Sequence, residues 1–581
     1  MNYMSKYRDW LVSDYFDAET KEELEAIKDD ETEIEDRFYK NLEFGTGGMR
    51  GKMGAGTNRI NKYIVRKATQ GLANYIINYS DDGKDKGVVI AHDSRYNSPE
   101  FSLEAALVLA ANGIKTYLFE GMRTTPELSF AVRELGAVGG IVITASHNPA
   151  EYNGYKLYWE DGGQVVPEQA RDIIAEIEEI DDFSIVKSME EDEALEQGLL
   201  EYIGEEVDEK YQQTVITALP EQELAAENGG DLKIVYTPLH GTGSTAVPAV
   251  LDKLGFSSLY IVEEQSDGDS DFSTVESPNP EDRSAFELAL ELAAEKDADL
   301  VMATDPDCDR MAPVVKDENG EYKALNGNET GVLLADYLLQ SRKEAGELPD
   351  NGVIIKSIVS TEMVREVAAD YDVEVLDVLT GFKFIGEKMT EFEKTGEKEF
   401  IFGFEESLGY LIGKYARDKD AVVAAALTAI MTLKYLEEGK SLFDRLAELR
   451  DKYGFFLEDL ESKRLEGKEG QEIIEKTIAS LREQSPEKIA GRKVLVAKDF
   501  KESKTVYIEE DREEELKLPK SNVLQYLLEG NAKLTIRPSG TEPKLKFYFA
   551  VREKNKAEAE KALAEFKEKV MAEIEEIMGK F

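Results

Sequence analysis

The chain reads as an α/β protein: three similar α/β domains with mixed or parallel sheets, followed by a smaller α+β C-terminal domain. Three observations predict this. Short apolar runs ending in polar loops alternate with helical patterns through residues 87 to 384, as in βαβ units. The last hundred residues change to two strands about a tight loop and a long amphipathic helix. The length of 581 residues exceeds what one ordinary core supports.

The first strand is GVVIAHD at 87–93, followed by the helical PEFSLEAALVLAANG, then KTYLFEG and GGIVITASHNP. The rhythm returns at LKIVYTPLHGTG (232–243), at ADLVMATDPDCDR (298–310), and at GVIIKSIVS with VEVLDVLTGFKF. LTIRPSGTEPKLKFYFAVR gives the terminal pair of strands and KAEAEKALAEFKEKVMAEIEEIM the final helix. Divisions fall near 203, 325 and 455, giving domains at 1–203, 204–325, 326–455 and 456–581.

Composition excludes several classes. A net charge of -49 opposes nucleic acid and anionic membranes, so neither is expected as a partner. An anionic substrate would have to be met by locally concentrated arginines and lysines. The opening MNYMSKYRDWLVSDYF lacks a signal-peptide core, and no window of about 18 uncharged apolar residues follows. A cytoplasmic protein is expected. The single cysteine, Cys308, precludes an internal disulfide and a cysteine-rich metal site, and reads as a small packing residue inside the acidic loop.

Function should lie in the loops beyond the carboxyl ends of strands. TASHNPAEYNGYK (144–156) pairs Ser146 with His147, but a nucleophile elbow needs glycines where Thr144 and Asn148 stand. Neighbouring side chains are also expected to point apart, which argues against a triad. TDPDCDR places Asp305, Asp307 and Asp309 together with Arg310. Three close carboxylates call for a cation, and all-oxygen ligands favour Mg²⁺ or Ca²⁺. An EF-hand would need Gly and Glu where Arg310 and Lys316 stand. The loop also departs from the haloacid-dehalogenase type, which wants Thr or Val shortly after DxD.

EFIFGFEESLGYLIG offers Glu405 and Ser407 to sugar hydroxyls, and TIRPSGTEPK offers Arg537, Ser539, Gly540 and Thr541 to a phosphate. FGTGGMRGKMGAGTNRIN fits neither a Walker A loop nor a dinucleotide fingerprint, yet presents Arg50 and Lys52 to any nearby anion.

TASHNP, DPDCDR, GFEES and RPSGTEPK, in that order along nearly the whole chain, closely resemble the α-D-phosphohexomutase superfamily, most nearly its phosphoglucomutase branch; GTGGMRG and TGFKFIGEKM fit that branch too. The resemblance implies four domains around a central cleft, each giving one loop. Ser146 would be a phosphoserine, and one Mg²⁺ ion would be held by Asp305, Asp307, Asp309 and Ser146. Arg310, Lys156 and Arg50 would serve the transferring group. His147, Glu405, Ser407, Lys383, Arg537, Ser539, Gly540 and Thr541 would bind a phosphosugar, with glucose 1,6-bisphosphate as intermediate and activator. The expected protein is a monomer or homodimer.

Pro306 and Cys308 replace the glycines of the common DGDGDR loop. This DPD type also occurs in relatives resembling phosphopentomutases, so ribose phosphates stay open, whereas GFEES points to glucose. A metal-dependent sugar phosphatase is the alternative from another class, though it would not need a phosphate cradle 390 residues beyond the serine.

Overall fold

In the computed structural model, residues 2–45, 47–465, 467–483, 486–538 and 544–581 are described. Four sheets succeed one another along the chain. The first runs in the order Gly48–Lys52, Tyr152–Trp159, Gly139–Ile143, Val88–His92, Thr116–Phe119, Leu200–Ile203. The second has the order Tyr322–Ala324, Met311–Lys316, Leu300–Thr304, Ile234–Thr237, Leu259–Ile261. The third has Glu374–Val378, Gly352–Ser357, Glu399–Glu405, Gly409–Ile412.

These three sheets share a plan. Each has a parallel core, one edge strand of which turns back as an antiparallel hairpin: Gly139–Ile143 onto Tyr152–Trp159, Leu300–Thr304 onto Met311–Lys316, and Glu399–Glu405 onto Gly409–Ile412. The sheets are therefore mixed, and each hairpin loop is one of the polar loops singled out in the sequence. Val88–His92, Gly139–Ile143, Leu300–Thr304 and Gly352–Ser357 are buried along their whole length, as expected where helices cover both faces. The fourth sheet is wholly antiparallel and larger than the sequence shows, with Phe455–Arg464, Lys544–Glu553, Ala532–Pro538 and further strands, backed by helices Gly467–Glu483 and Lys556–Met578. Its first strand begins at Phe455, one residue before the expected division.

Helix starts follow local rules. Asn326 and Ser441 form capping boxes with Glu329 and Asp444. Thr124 caps Thr125–Glu134, with Pro126 in its first turn. The helix Ala421–Glu437 is apolar on nearly every side because it is enclosed between the second and third units. Its apolar run of 13 residues, AVVAAALTAIMTL, is too short to span a bilayer, and among the described residues no helix is long and apolar enough to cross one.

Asp420 starts that helix. Fully buried, it accepts hydrogen bonds from the Val422 and Val423 N–H groups at 2.8 and 3.0 Å and from the Tyr211 and Tyr415 hydroxyls at 2.9 and 2.6 Å. Asp420→Ala should cost about 3 kcal/mol, because it removes a cap and orphans two buried hydroxyls. Hydrogen exchange over 421–437 and the thermal midpoint would record the loss, and unchanged protection would refute it.

Candidate active site

Ser146 follows the strand Gly139–Ile143 in a loop fastened from below. Its N–H donates to Thr144 Oγ1 at 2.8 Å, Thr144 Oγ1 donates to Asp93 Oδ2 at 2.6 Å, and Asp93 pairs with Arg95 at 3.1 Å, both fully buried. The Arg95 guanidinium then donates to the carbonyls of Ser146, Asn148, Pro149 and Tyr152. This cradle holds Ser146 with φ of 53°, a strained backbone for a non-glycine residue. Leu408 in the GFEES loop and Cys308 in the acidic loop have φ of 65° and 55°. All three hairpins therefore carry a non-glycine residue in the left-handed region. At Cys308 the strain has a sequence reason, since glycine stands there in the commoner loop. Its thiol is fully buried, and burial, then Asp420, keeps it well above the usual range, so it stays protonated.

Ser146 Oγ donates to Asp305 Oδ2 at 2.7 Å. Asp305, Asp307 and Asp309 are buried, and one oxygen from each lies within 4.8 Å of the others. Burial, then repulsion from Asp309 and Asp307, pushes Asp305 well above the carboxylate range. Asp307 and Asp309 are also penalised by burial, yet lysines hold both below it. Lys156 Nζ lies 2.5 Å from Asp307 Oδ2 and 3.1 Å from Asp309 Oδ2, and Lys419 Nζ lies 3.1 Å from the same Asp309 oxygen. Burial opposes the Lys156 charge, but Asp307 and Asp309 keep its pKa above the ordinary lysine value.

Asp307 Oδ1 and Asp309 Oδ1 are buried without a hydrogen-bond partner. Two orphaned anionic oxygens beside a third carboxylate and a serine hydroxyl fit a hard divalent cation. Thr125, in the first turn of its helix, adds its hydroxyl to Asp307 Oδ2 at 2.8 Å and its N–H to the Asp307 carbonyl at 2.9 Å, joining the first and second units at this point.

The other expected residues gather in two groups. Arg310 lies 4.0 Å from Asp309 Oδ1 and 3.3 Å from Glu281. Arg50, on Gly48–Lys52, stands opposite Gly154 and so on the same sheet face as Lys156, and donates to Asn148 Oδ1 at 2.9 Å. His147 Nδ1 lies 3.1 Å from Ser146 Oγ, which corrects the expectation that the two side chains point apart: the left-handed turn at Ser146 brings them together. Burial, then Arg310 and Arg50, holds the imidazole well below its ordinary pKa and neutral.

The second group faces from the third and fourth units. Glu405 is buried and accepts from the Gly381 N–H at 2.7 Å; Ser407 follows on the same turn, half-buried. Lys383 begins the helix Lys383–Thr395, and burial, then Arg537, lowers its pKa to about 8. Arg537 thus lies within electrostatic reach of Lys383. Ser539, Gly540 and Thr541 lie outside the described residues.

Sequence reasoning missed Arg95, Thr125 and Lys419. Arg95 had a signal, the polar HDSR closing an apolar strand like the other loops. Lys419 sits in the charge-dense RDKD before an apolar helix, and Gly409 allows its approach: a Cβ there would lie 2.2 Å from Lys419 Cδ.

Residues 41–183, 209–320 and 326–453 match the family models described as phosphoglucomutase/phosphomannomutase, alpha/beta/alpha domains I, II and III. The chain belongs to the phosphoglucomutase/phosphomannomutase family. It is 38% identical over 550 residues to a phosphoglucomutase of Staphylococcus haemolyticus (strain JCSC1435), covering 95% of this chain and 96% of that one. A phosphoglucomutase of Staphylococcus aureus (strain MRSA252) is 38% identical over 534 residues, covering 90% and 92%. In fold the chain is similar to the open form of the phosphoglucomutase parafusin from Paramecium (TM-score 0.67, 17% identity, 93% and 95% covered). It is also similar in fold to a phosphoglucomutase/phosphomannomutase family protein from Burkholderia thailandensis (TM-score 0.63, 18% identity, 92% and 97% covered). Three of the chain's polar loops are the hairpin turns of these three matched domains.

Burial, then Glu406, raises Glu405 from its ordinary 4.5 to about 7. Because the folded value lies above the unfolded one, ionising Glu405 opposes folding as pH rises through this interval, and the cost is relieved below it. For ligand binding the sign reverses, since only the carboxylate accepts hydrogen bonds through both oxygens. We expect kcat/KM for a sugar phosphate to fall below a pH of about 7, with an acid limb that Glu405→Gln flattens; a limb unchanged in the variant would dismiss this role.

Proposed function

We propose that the chain is a phosphoglucomutase, interconverting α-D-glucose 1-phosphate and glucose 6-phosphate through a phosphorylated Ser146 and a glucose 1,6-bisphosphate intermediate. The observation carrying this reading is a buried serine hydroxyl 2.7 Å from one of three clustered carboxylates, two of which have an orphaned oxygen. A phosphoester placed there needs no triad to begin the cycle, because the serine oxygen is the leaving group of the first transfer.

Transfer breaks the Ser146 Oγ–P bond and forms a bond from phosphorus to a sugar hydroxyl oxygen, whose proton leaves; the serine oxygen takes a proton in exchange. The return transfer, from the other end of the bisphosphate, reverses these changes. Phosphoryl transfer depends mainly on positioning and on neutralising spread negative charge. Asp305, Asp307, Asp309 and the serine phosphate would hold one Mg²⁺, which supplies charge neutralisation on the transferring group. Arg310 and Arg50 flank that group. Lys156, kept protonated by its two carboxylates, returns a proton to the oxygen leaving phosphorus. His147 is neutral beside the serine and serves as a hydrogen-bond partner. Glu405 and Ser407 receive sugar hydroxyls, and Lys383 with Arg537 receives the resting phosphate, joined by Ser539, Gly540 and Thr541.

A phosphatase would release phosphate to water and has little use for a second anion corner at Lys383 and Arg537. Glucose is favoured by the GFEES turn and by the names of the relatives, phosphoglucomutases over nearly the full chain.

Turnover of glucose 1-phosphate, followed with Mg²⁺ and a trace of glucose 1,6-bisphosphate, should exceed that of ribose 1-phosphate and fall about a thousandfold or more in Ser146→Ala. Faster ribose turnover would make the substrate a pentose, and an active Ser146→Ala would end the phosphoserine reading. Calorimetry should show one Mg²⁺ bound per chain, lost in Asp307→Asn; binding that survives would place the metal elsewhere.

A further inference from the structure

Tyr158 lies two residues beyond Lys156 on Tyr152–Trp159, so the two side chains leave the same face of the strand. Tyr158 is fully buried, and its hydroxyl donates to Asp418 Oδ2 at 2.7 Å. The other Asp418 oxygen accepts from the Lys419 N–H at 2.8 Å and from Lys419 Nζ at 3.2 Å. Lys419 Nζ then reaches Asp309 Oδ2 at 3.1 Å, the oxygen that Lys156 also meets. A ring closes: strand, Tyr158, Asp418, Lys419, Asp309, Lys156, strand.

The backbone under this ring is pinned residue by residue. The Arg417 N–H donates to Ser129 Oγ at 2.9 Å, and its buried guanidinium meets Glu393 and Thr390 Oγ1. Asp420 is held by Tyr211 and Tyr415. The neighbouring Ala421 N–H donates to the Cys308 carbonyl at 3.2 Å, inside the acidic loop. Arg417, Asp418, Lys419 and Asp420 thus tie the first, second and third units at one point.

We propose that Tyr158 and Asp418 are positioning residues for phosphoryl transfer, fixing Lys419 against Asp309 so that two lysines from different units share one carboxylate. This rests on the phosphoryl-transfer reading of the site. Neither residue touches the reacting atoms. A lysine side chain has four rotatable bonds, and a stabilising charge acts most strongly when it is oriented before the reaction begins. Asp418 supplies that orientation from a buried position, and the Tyr158 hydroxyl, a donor that stays protonated, fixes the Asp418 carboxylate. Without it, Oδ2 would be released, and the carboxylate could rotate and draw Nζ from Asp309.

The test is a double-mutant cycle of the unmodified chain, Tyr158→Phe, Lys419→Met and the pair, with kcat and KM for glucose 1-phosphate measured in Mg²⁺ and thermal midpoints recorded alongside. Tyr158→Phe should lower kcat about tenfold with KM within about twofold, and the same change should alter kcat less than about twofold in the Lys419→Met background. Asp418→Asn should show the same non-additivity, which covers the case of a poorly folded Tyr158→Phe. Unchanged kcat in the single variants, or a full tenfold loss repeated without Lys419, would overturn the positioning role while leaving the mutase reading intact. An unmodified chain inactive on sugar phosphates would overturn both.

Discussion

Burying three carboxylates with one oxygen of each within 4.8 Å of the others carries a heavy desolvation and repulsion cost, and much of the surrounding structure offsets it. Ions removed from water at such spacing persist only with cations and donors around them. Lys156 arrives from the first sheet, Lys419 from the third unit and Arg310 from the acidic loop itself, while Thr125 adds its hydroxyl from a helix start. In a chain of net charge -49 these are local exceptions to the prevailing field. Even so, one carboxyl is pushed toward its neutral form and two oxygens are left orphaned. The site is poised to gain from a further cation.

That balance explains why the cluster lies where units meet. No single sheet could bring opposing charges from several directions at hydrogen-bonding distance. Three similar sheets can, because each ends its parallel core in a hairpin whose loop projects beyond the strand ends. The left-handed residues at the three turns, Ser146, Cys308 and Leu408, show that these loops are held in sparsely populated conformations by their surroundings. For Ser146 the holding group is the buried Asp93–Arg95 pair with its four carbonyl acceptors.

Much of the site was legible from loop chemistry. Asp305, Asp307 and Asp309 are close in sequence and could not avoid being close in space. Ser146 and Lys156 are joined by one hairpin, so their nearness needed only strand alternation. Lys419 was not legible, since it lies 110 residues from Asp309 and its route depends on a missing side chain at Gly409. The contact of His147 with Ser146 was not legible either, because it depends on the left-handed backbone at Ser146.

Sequence alone determined the elements and their chemistry: apolar runs that must be buried, polar loops at their ends, an acidic triplet that demands cations, and an ordered set of motifs that marks a family. These are properties of short segments, where spacing and residue type decide the outcome. The tertiary structure alone decided which cations answer the triplet, which carboxyl is driven toward protonation, and how Tyr158 and Asp418 enter the site. Burial and Coulomb interactions act between groups hundreds of residues apart in sequence, and only folding sets those distances.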